Sequence, residues 1–339
     1  MTDEITLVIP VFNDEKHIEQ CLTSALHQSL PACEVIVIDD GSTDRSGEIA
    51  LEYQNRFPAL KVIRHETNQG LVRAWQHGVS LAEGDYIAFL DSDDWIDGGY
   101  LAELATGIGT GADIVCCNHN RVYRDRLVFQ QEKIPAGVYP RERMIREVFP
   151  VLLSDGTYLG RGLTPHRCGK LFRKTLLLDN LHFCDPEISY GEDLNIFFPA
   201  IQDCGLLVVL DDRKGLYYYR QNEASMIHSY KTGMFPQITS LRARLLDAMN
   251  KKAVYDFTDQ LNRDFWCLFL EYVKNETKAG NCLAKSGEVL SSYQASAKSI
   301  PAGGVSLRFS NRLLMECLRK NSKTLVFLWM KLYVLLRKG

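Results

Sequence analysis

The chain of 339 residues lacks several signatures that would each have settled its class. No uninterrupted apolar run reaches the ~18 residues of a membrane-crossing helix, so no hydrophobic span is expected. Met1-Thr2-Asp3-Glu4 carries no basic stretch ahead of the apolar run that follows; no signal peptide is expected, and the cytoplasm is the expected compartment. None of the ten cysteines forms a C-x-x-C pair or sits near histidine at zinc-finger spacing, which argues against a structural zinc site. Reduced thiols acting as small core residues are expected instead, as in Ile114-Val115-Cys116-Cys117. The phosphate-cradling pattern G-x-x-x-x-G-K-[ST] is missing, which argues against a P-loop enzyme. No segment repeats at a fixed period. The formal net charge is −3, and no nucleic-acid partner is expected.

What remains is an ordinary globular composition, 46% hydrophobic and 24% charged, long enough for two domains. Short apolar runs alternate with helical patterns through the first third. Ile5–Phe12, Glu34–Ile38, Lys61–Arg64 and Tyr86–Leu90 read as strands. Lys16–Leu30, Asp44–Phe57 and Leu71–Leu81 read as helices, with Asn13 a cap for the first. Strands and helices alternating at this length imply βαβ units and a mostly parallel sheet covered on both faces. Farther on, Asp113–His119, Arg126–Gln130, Leu206–Leu210 and Leu216–Tyr219 read as strands. Ile134–Pro140 reads as a break, Arg141–Ser154 and Leu194–Cys204 as helices, and Asp155–Cys168 as a polar loop. From about Met234 the pattern is helical. An α/β catalytic domain over 1–230 and a helical region over 231–339 are therefore expected.

In an open parallel sheet, ligands bind outside the carboxyl ends of the strands. Here three of four such ends carry polar or acidic clusters: Pro10-Val11-Phe12-Asn13, Asp39-Asp40-Gly41-Ser42 and Asp91-Ser92-Asp93-Asp94. A rim of carboxylates repels phosphate unless a cation lies between them. Asp91 and Asp93 end one strand and can face one cavity, and Mg²⁺ or Mn²⁺ is commonly held by one or two carboxylates together with phosphate and water.

Taken together, these motifs resemble the family 2 glycosyltransferases and their GT-A fold over roughly residues 4–228. The resemblance rests on Val8-Ile9-Pro10-Val11-Phe12-Asn13, Val37-Ile38-Asp39-Asp40-Gly41-Ser42-Thr43-Asp44 and Gly84-Asp85-Tyr86-Ile87-Ala88-Phe89-Leu90-Asp91-Ser92-Asp93-Asp94-Trp95. Gly169-Lys170-Leu171-Phe172, Gly191-Glu192-Asp193 and Leu216-Tyr217-Tyr218-Tyr219-Arg220 follow in order. It implies an inverting transfer of a sugar from a nucleotide diphosphate, with UDP favoured, to a saccharide or lipid-linked saccharide in surface-polysaccharide assembly. Asp39 would accept the N3–H of uracil, and Val11 and Phe12 would line the base. Asp93, with Asp91, would hold Mn²⁺ or Mg²⁺, and Asp91 would also lie near the ribose. Asp193 would be the general base and Glu192 would orient acceptor or water. Lys170 would hold acceptor or phosphate, while Arg220, Ser225 and His228 match the segment that closes over the diphosphate. One departure stands out: Trp75 and Gln76 occupy the positions where the family commonly carries Arg and Asn, and Arg73 lies roughly 200° around the helix. A sugar-phosphate nucleotidylyltransferase and a catalytically silent scaffold subunit are the competing readings; the first would need a Gly-rich N-terminal loop, and the second would need none of Asp91, Asp93 and Asp193.

After Leu307 there are eight Lys or Arg and one acid, on a body that is otherwise acidic. Leu325–Leu336 is apolar but for Lys331, with Thr324, Lys331 and Lys338 on a narrow stripe of a helix. It is expected to lie at an anionic membrane surface, with Trp329 and Tyr333 at the headgroup boundary, placing the protein at the inner face of the cell membrane. Packing on the protein body or pairing in a homodimer is the alternative.

Overall fold

The computed structural model describes residues 4–221, 230–301 and 306–337. The chain divides into two compact units, Met1–Arg146 with Leu163–Asn222, and Glu147–Gly162 with Glu223–Gly339.

The first unit is built on β1 (Ile5–Val11), α1 (Ile18–Leu26), β2 (Glu34–Asp39), α2 (Ser46–Gln54), β3 (Leu60–Arg64), α3 (Leu71–Leu81) and β4 (Tyr86–Phe89). Every residue of β1, β2 and β4 is buried, which is why these strands read as continuous apolar runs rather than alternating ones. The unit continues through β5 (Trp95–Ile96), α4 (Tyr100–Ile108), β6 (Ile114–Cys116), β7 (His119–Val122), β8 (Leu127–Gln130), β9 (Gly137–Pro140) and α5 (Arg141–Arg143). Its last elements are β10 (Lys170–Arg173), α6 (Lys174–Asn180), α7 (Glu192–Asp203), β11 (Leu206–Val209) and β12 (Tyr217–Arg220). An eight-stranded sheet runs in the order β3-β2-β1-β4-β10-β6-β11-β9. Its first four strands are mutually parallel, and β10 runs against both β4 and β6. Leu7, Ile9, Val35, Val37, Ala88 and Leu90 of the strands form one core with Leu101 and Leu104 of α4. A second sheet, β5-β12-β7-β8, pairs Tyr217 with Ile96 and Tyr218 with Trp95. This is the α/β arrangement expected, with a mostly parallel sheet flanked by helices.

Three local expectations are corrected. The break at Ile134–Pro140 contains β9, an edge strand whose partner Leu207 of β11 meets Tyr139; Pro140 is tolerated there because it ends an edge strand. The short β10 hides in a stretch that looks like loop. Asn13 does not cap α1: it has a left-handed φ of 52° and its Oδ1 accepts from Thr43 N at 2.7 Å, so it ties the loop after β1 to the loop after β2.

The second unit is helical: α8 (Met234–Lys252), α9 (Thr258–Lys278), α10 (Cys282–Ala295), α11 (Phe309–Arg319) and α12 (Lys323–Arg337). Gln260 of α9 fixes residues 149–154 by accepting from Leu153 N and Ser154 N and donating to Phe149 O. Arg161 pairs with buried Asp264. Val326, Trp329 and Met330 of α12 are buried, and Trp329 Nε1 donates to Ser310 O at 2.8 Å. The expectation that Trp329 sits at a headgroup boundary is corrected accordingly: its indole closes the α11–α12 packing. Leu328, Leu332, Leu335 and Leu336 remain exposed on the other face. No described helix is long and apolar enough to cross a membrane.

Close packing of α3 on β1 depends on Gly78, where a Cβ would lie 2.4 Å from Val8 Cγ1. Overpacking of this kind costs about 1–3 kcal/mol. Gly78→Val is therefore expected to lower the unfolding free energy, measured by urea titration, by an amount in that range; an unchanged free energy would show that α3 can move off the sheet freely.

Candidate active site

The parallel half of the sheet delivers its acids side by side. Strand register places Val11 beside Asp39 and Asp39 beside Arg64, so the ends of β1, β2 and β3 are level. Val11 is buried, while Phe12, one residue beyond the strand, is 47% exposed. That leaves an aromatic face available next to the buried Asp39. Asp39 Oδ1 accepts from Ser42 N at 2.9 Å. Its Oδ2 has no hydrogen bond among the described residues and lies 3.3 Å from Arg64 Nε. The neighbouring Asp40 is fully engaged: it accepts from Gln69 N, Gly70 N and His65 Nδ1, and His65 Nε2 is 2.9 Å from His77 Nδ1. Gly41, with φ 75°, lets the chain pass where a Cβ would meet Thr67 backbone at 2.7 Å. Asp40 therefore shapes the loop 65–70 with both oxygens hydrogen-bonded, whereas Asp39 Oδ2 is enclosed beside Arg64 without a hydrogen bond among the described residues.

After β4 the chain turns sharply, with Asp94 N donating to Asp91 O. Asp94 points inward, accepting from Tyr217 Oη at 2.7 Å and Arg220 N at 2.7 Å. This is how the second sheet locks onto the acidic turn. Arg220 Nε donates to Asp93 O, its Nη2 to Gln20 Oε1, and its guanidinium stacks 4.7 Å over Trp95. The predicted diphosphate residue is thus fixed beside Asp93 before any ligand arrives. Burial, then the charges of Asp91 and Asp14, push the Asp93 carboxyl up to about 6. Ser225 and His228 lie outside the described residues.

Asp193 and Glu192 open α7 after Gly191, whose left-handed φ of 85° turns the chain into the helix. Burial and the adjacent Asp193 push Glu192 up to about 7. Asp193 is joined to Asp91 by a residue the sequence reading passed over, Arg167. Its side chain is 2% exposed. Arg167 Nη1 donates to Asp193 Oδ1 at 2.9 Å and Nη2 donates to Asp91 Oδ1. Burial alone would depress its pKa, and Asp91 first among its neighbours outweighs that, holding it above the ordinary arginine value. The only advance signal was its place at the end of the polar loop Asp155–Cys168, just before the Gly169-Lys170 motif; Arg161 in the same loop looked equivalent and pairs elsewhere.

Lys170 departs from its expected role. It is 1% exposed, 3.8 Å from Glu132 Oε1 and 5.2 Å from the Phe197 ring. Glu132 in turn accepts from Thr164 N. Lys170 braces β10 and the loop before it rather than presenting its amine to acceptor or phosphate. Trp75, in the departed position, is fully buried with its ring edge-on to Phe89. Gln76 Nε2 reaches Cys184 O at 3.5 Å and Arg73 pairs with Glu187. The helix that commonly contacts the donor is here used to hold the loop leading to α7.

This geometry has counterparts. The model of the family described as Glycosyl transferase family 2 matches residues 6–178. EpsH of Bacillus subtilis (strain 168), carried as a glycosyltransferase, is 31% identical over 262 residues, 75% of this chain and 72% of EpsH. The chain belongs to glycosyltransferase family 2. It is also similar to the poly(ribitol-phosphate) β-N-acetylglucosaminyltransferase TarS of Staphylococcus aureus (strain MW2), 28% identical over 273 residues, 77% of this chain but 44% of TarS. Among solved structures, residues 1–349 of S. aureus TarS in complex with UDP-GlcNAc superpose with a TM-score of 0.66 at 22% identity, covering 97% of this chain and 91% of that one. That likeness is one of fold, and the fold is GT-A. Membership in this family sets aside the nucleotidylyltransferase reading.

The raised Glu192 gives a signed expectation for this family 2 chain. Between pH 4.5 and about 7 the folded protein holds a proton that the unfolded chain has released, so this group's stabilisation is complete below that window and lost as pH rises through it. The wild type is expected to lose more unfolding free energy than Glu192→Gln between pH 4.5 and 8, by at most about 3 kcal/mol. Parallel pH profiles for the two proteins in urea unfolding would contradict the shift.

Proposed function

We propose that the protein is an inverting, metal-dependent glycosyltransferase. It takes a hexosyl or N-acetylhexosaminyl group from a UDP-sugar to a saccharide or lipid-linked saccharide acceptor of the cell surface. The observation that carries the reading is the gathering of Asp39, Asp91, Asp93 and Asp193 in one unit, with Asp193 beside Glu192 at the head of α7 and only its Oδ1 taking hydrogen bonds among the described residues. The UDP-GlcNAc complex of TarS and its N-acetylglucosaminyltransferase name support the donor class, and the poly(ribitol-phosphate) of that name supports a polymeric acceptor. A scaffold would not need these acids.

Asp39 takes the uracil N3–H on Oδ2, and Phe12 covers the base. Asp193 Oδ2 accepts the proton of the acceptor hydroxyl. The acceptor oxygen bonds to the anomeric carbon from the face opposite the diphosphate, the bond from that carbon to the β-phosphate oxygen breaks, and UDP leaves with the electron pair. The carboxylate oxygens of Asp93 and Asp91 fit a hard dication. Asp93 and Asp91 would hold the cation, with substrate phosphate and water completing its shell. Mn²⁺ or Mg²⁺, when bound, supplies the charge that stabilises the departing diphosphate. With a UDP-sugar and a competent acceptor, Asp193→Asn is expected to lose about 10²–10⁴ in turnover while retaining donor binding, and product NMR is expected to show an inverted anomeric configuration. Retention of configuration, or an unimpaired variant, would sink the mechanism.

A membrane-linked acceptor suits the second unit. α12 exposes Leu328, Leu332, Leu335 and Leu336 on one face, and Arg312, Lys320, Lys323 and Lys331 are exposed nearby in sequence. Leucines flanked by cations match an anionic bilayer surface. The full chain is expected to float with vesicles containing phosphatidylglycerol at low salt, and a Leu332→Glu, Leu335→Glu variant to stay behind. Equal flotation of the two would remove the leucine face as anchor; conversion of a dimer to a monomer by the same variant would assign it to a second copy instead.

A further inference from the structure

The Arg167 pairing has a chemical asymmetry. Asp193 Oδ1 receives two donors from this one residue, its backbone N at 3.1 Å and Nη1 at 2.9 Å. Asp193 Oδ2 receives none among the described residues. The remaining arm of the fork goes to Asp91 Oδ1, and the third guanidinium nitrogen, Nε, is buried with no hydrogen-bond partner among the described residues. The side chain is enclosed while both carboxylates keep some exposure, 31% for Asp91 and 21% for Asp193. A buried guanidinium thus stands behind two acids that both reach toward solvent.

We propose that Arg167 is a positioning residue with two linked effects: it holds Asp193 so that Oδ2 faces the acceptor, and it competes with a divalent cation for Asp91. The proposal rests on the reading of Asp193 as base and Asp91 as cation ligand. Fixing one oxygen of a carboxylate by two donors from a rigid residue stops the group rotating, which leaves the second oxygen in one direction. The competition follows from the same contact, since a lone pair of Asp91 Oδ1 is already spent on Nη2. Loss of the Asp91 arm does not strand the buried charge, because Asp193 still holds Nη1. The guanidinium therefore shifts its weight toward Asp193 when Asp91 is taken by a cation, so that occupation of the donor end tightens the hold on the base. A planar fork can serve two acids in this way, whereas the point charge of a lysine cannot.

The test uses the full chain and two readouts of opposite sign. Mn²⁺ binding is measured from the electron paramagnetic resonance of the free ion, first alone and then with UDP. Arg167→Met is expected to bind Mn²⁺ about tenfold more tightly, because a neighbouring positive charge has gone. In transfer assays the same variant is expected to lose about 10²-fold in kcat with donor KM within about threefold, and guanidinium ion is expected to restore part of the loss. Arg167→Lys is expected to keep Mn²⁺ affinity within about threefold of wild type and still lose about tenfold in kcat; it carries the test should the Met variant fail to fold. A purely structural arginine would weaken both readouts together. Unchanged or weaker Mn²⁺ binding by a folded Arg167→Met would overturn the competition, and unchanged kcat would overturn the positioning. If the wild type transferred no sugar, the base assignment would fail by itself, and the Mn²⁺ readout would still decide the Asp91 pairing.

Discussion

Crowding of carboxylates at the ends of parallel strands is the constraint on which the site depends. β1, β2 and β4 can lie side by side because they are buried along their length and mostly apolar. The polar residues that end them must then share one rim. Like charges so close cannot all ionise freely, and the protein resolves this in different ways along the rim. Asp40 is held by two backbone amides and His65. Asp94 is turned inward to Tyr217 and a backbone amide. Asp91 and Asp193 share Arg167. At Asp93, burial and then the like charges of Asp91 and Asp14 push the carboxyl up to about 6.

The second sheet matters for the same reason. It brings Tyr217 and Arg220 to the acidic turn, so the turn is rigid before a ligand binds. Arg220 stacked on Trp95, itself stacked on Tyr218 with ring centroids 5.3 Å apart, fixes a cation beside Asp93. α3 contributes differently. Its buried Trp75 packs edge-on to Phe89, while Gln76 and Arg73 reach the loop that leads to α7.

The parallel half of the fold was legible because fully buried strands leave continuous apolar runs, and the apolar periodicity of α3 marks both its ends, Leu71 and Leu81. The β10 strand was not, because four residues with Lys at one end and Arg at the other carry no periodicity. Asp39, Asp91, Asp93 and Asp193 were legible because they close recognisable motifs. Lys170 was misassigned because a motif gives a residue's position and not the direction of its side chain. Arg167 was missed because its meaning comes from two acids 76 and 26 residues away. Trp329 illustrates a further limit: an amphipathic pattern marks a buried face, and only the packing of α11 shows which side the tryptophan occupies.

The central claim is that this acidic rim accepts a nucleoside diphosphate only with a cation between them. Calorimetric titration of UDP into the full chain, in Mn²⁺ and then in excess chelator, tests it most directly. The account predicts saturable binding with Mn²⁺ and at least about a tenfold loss of affinity without it. Equal affinity in the two conditions would contradict it.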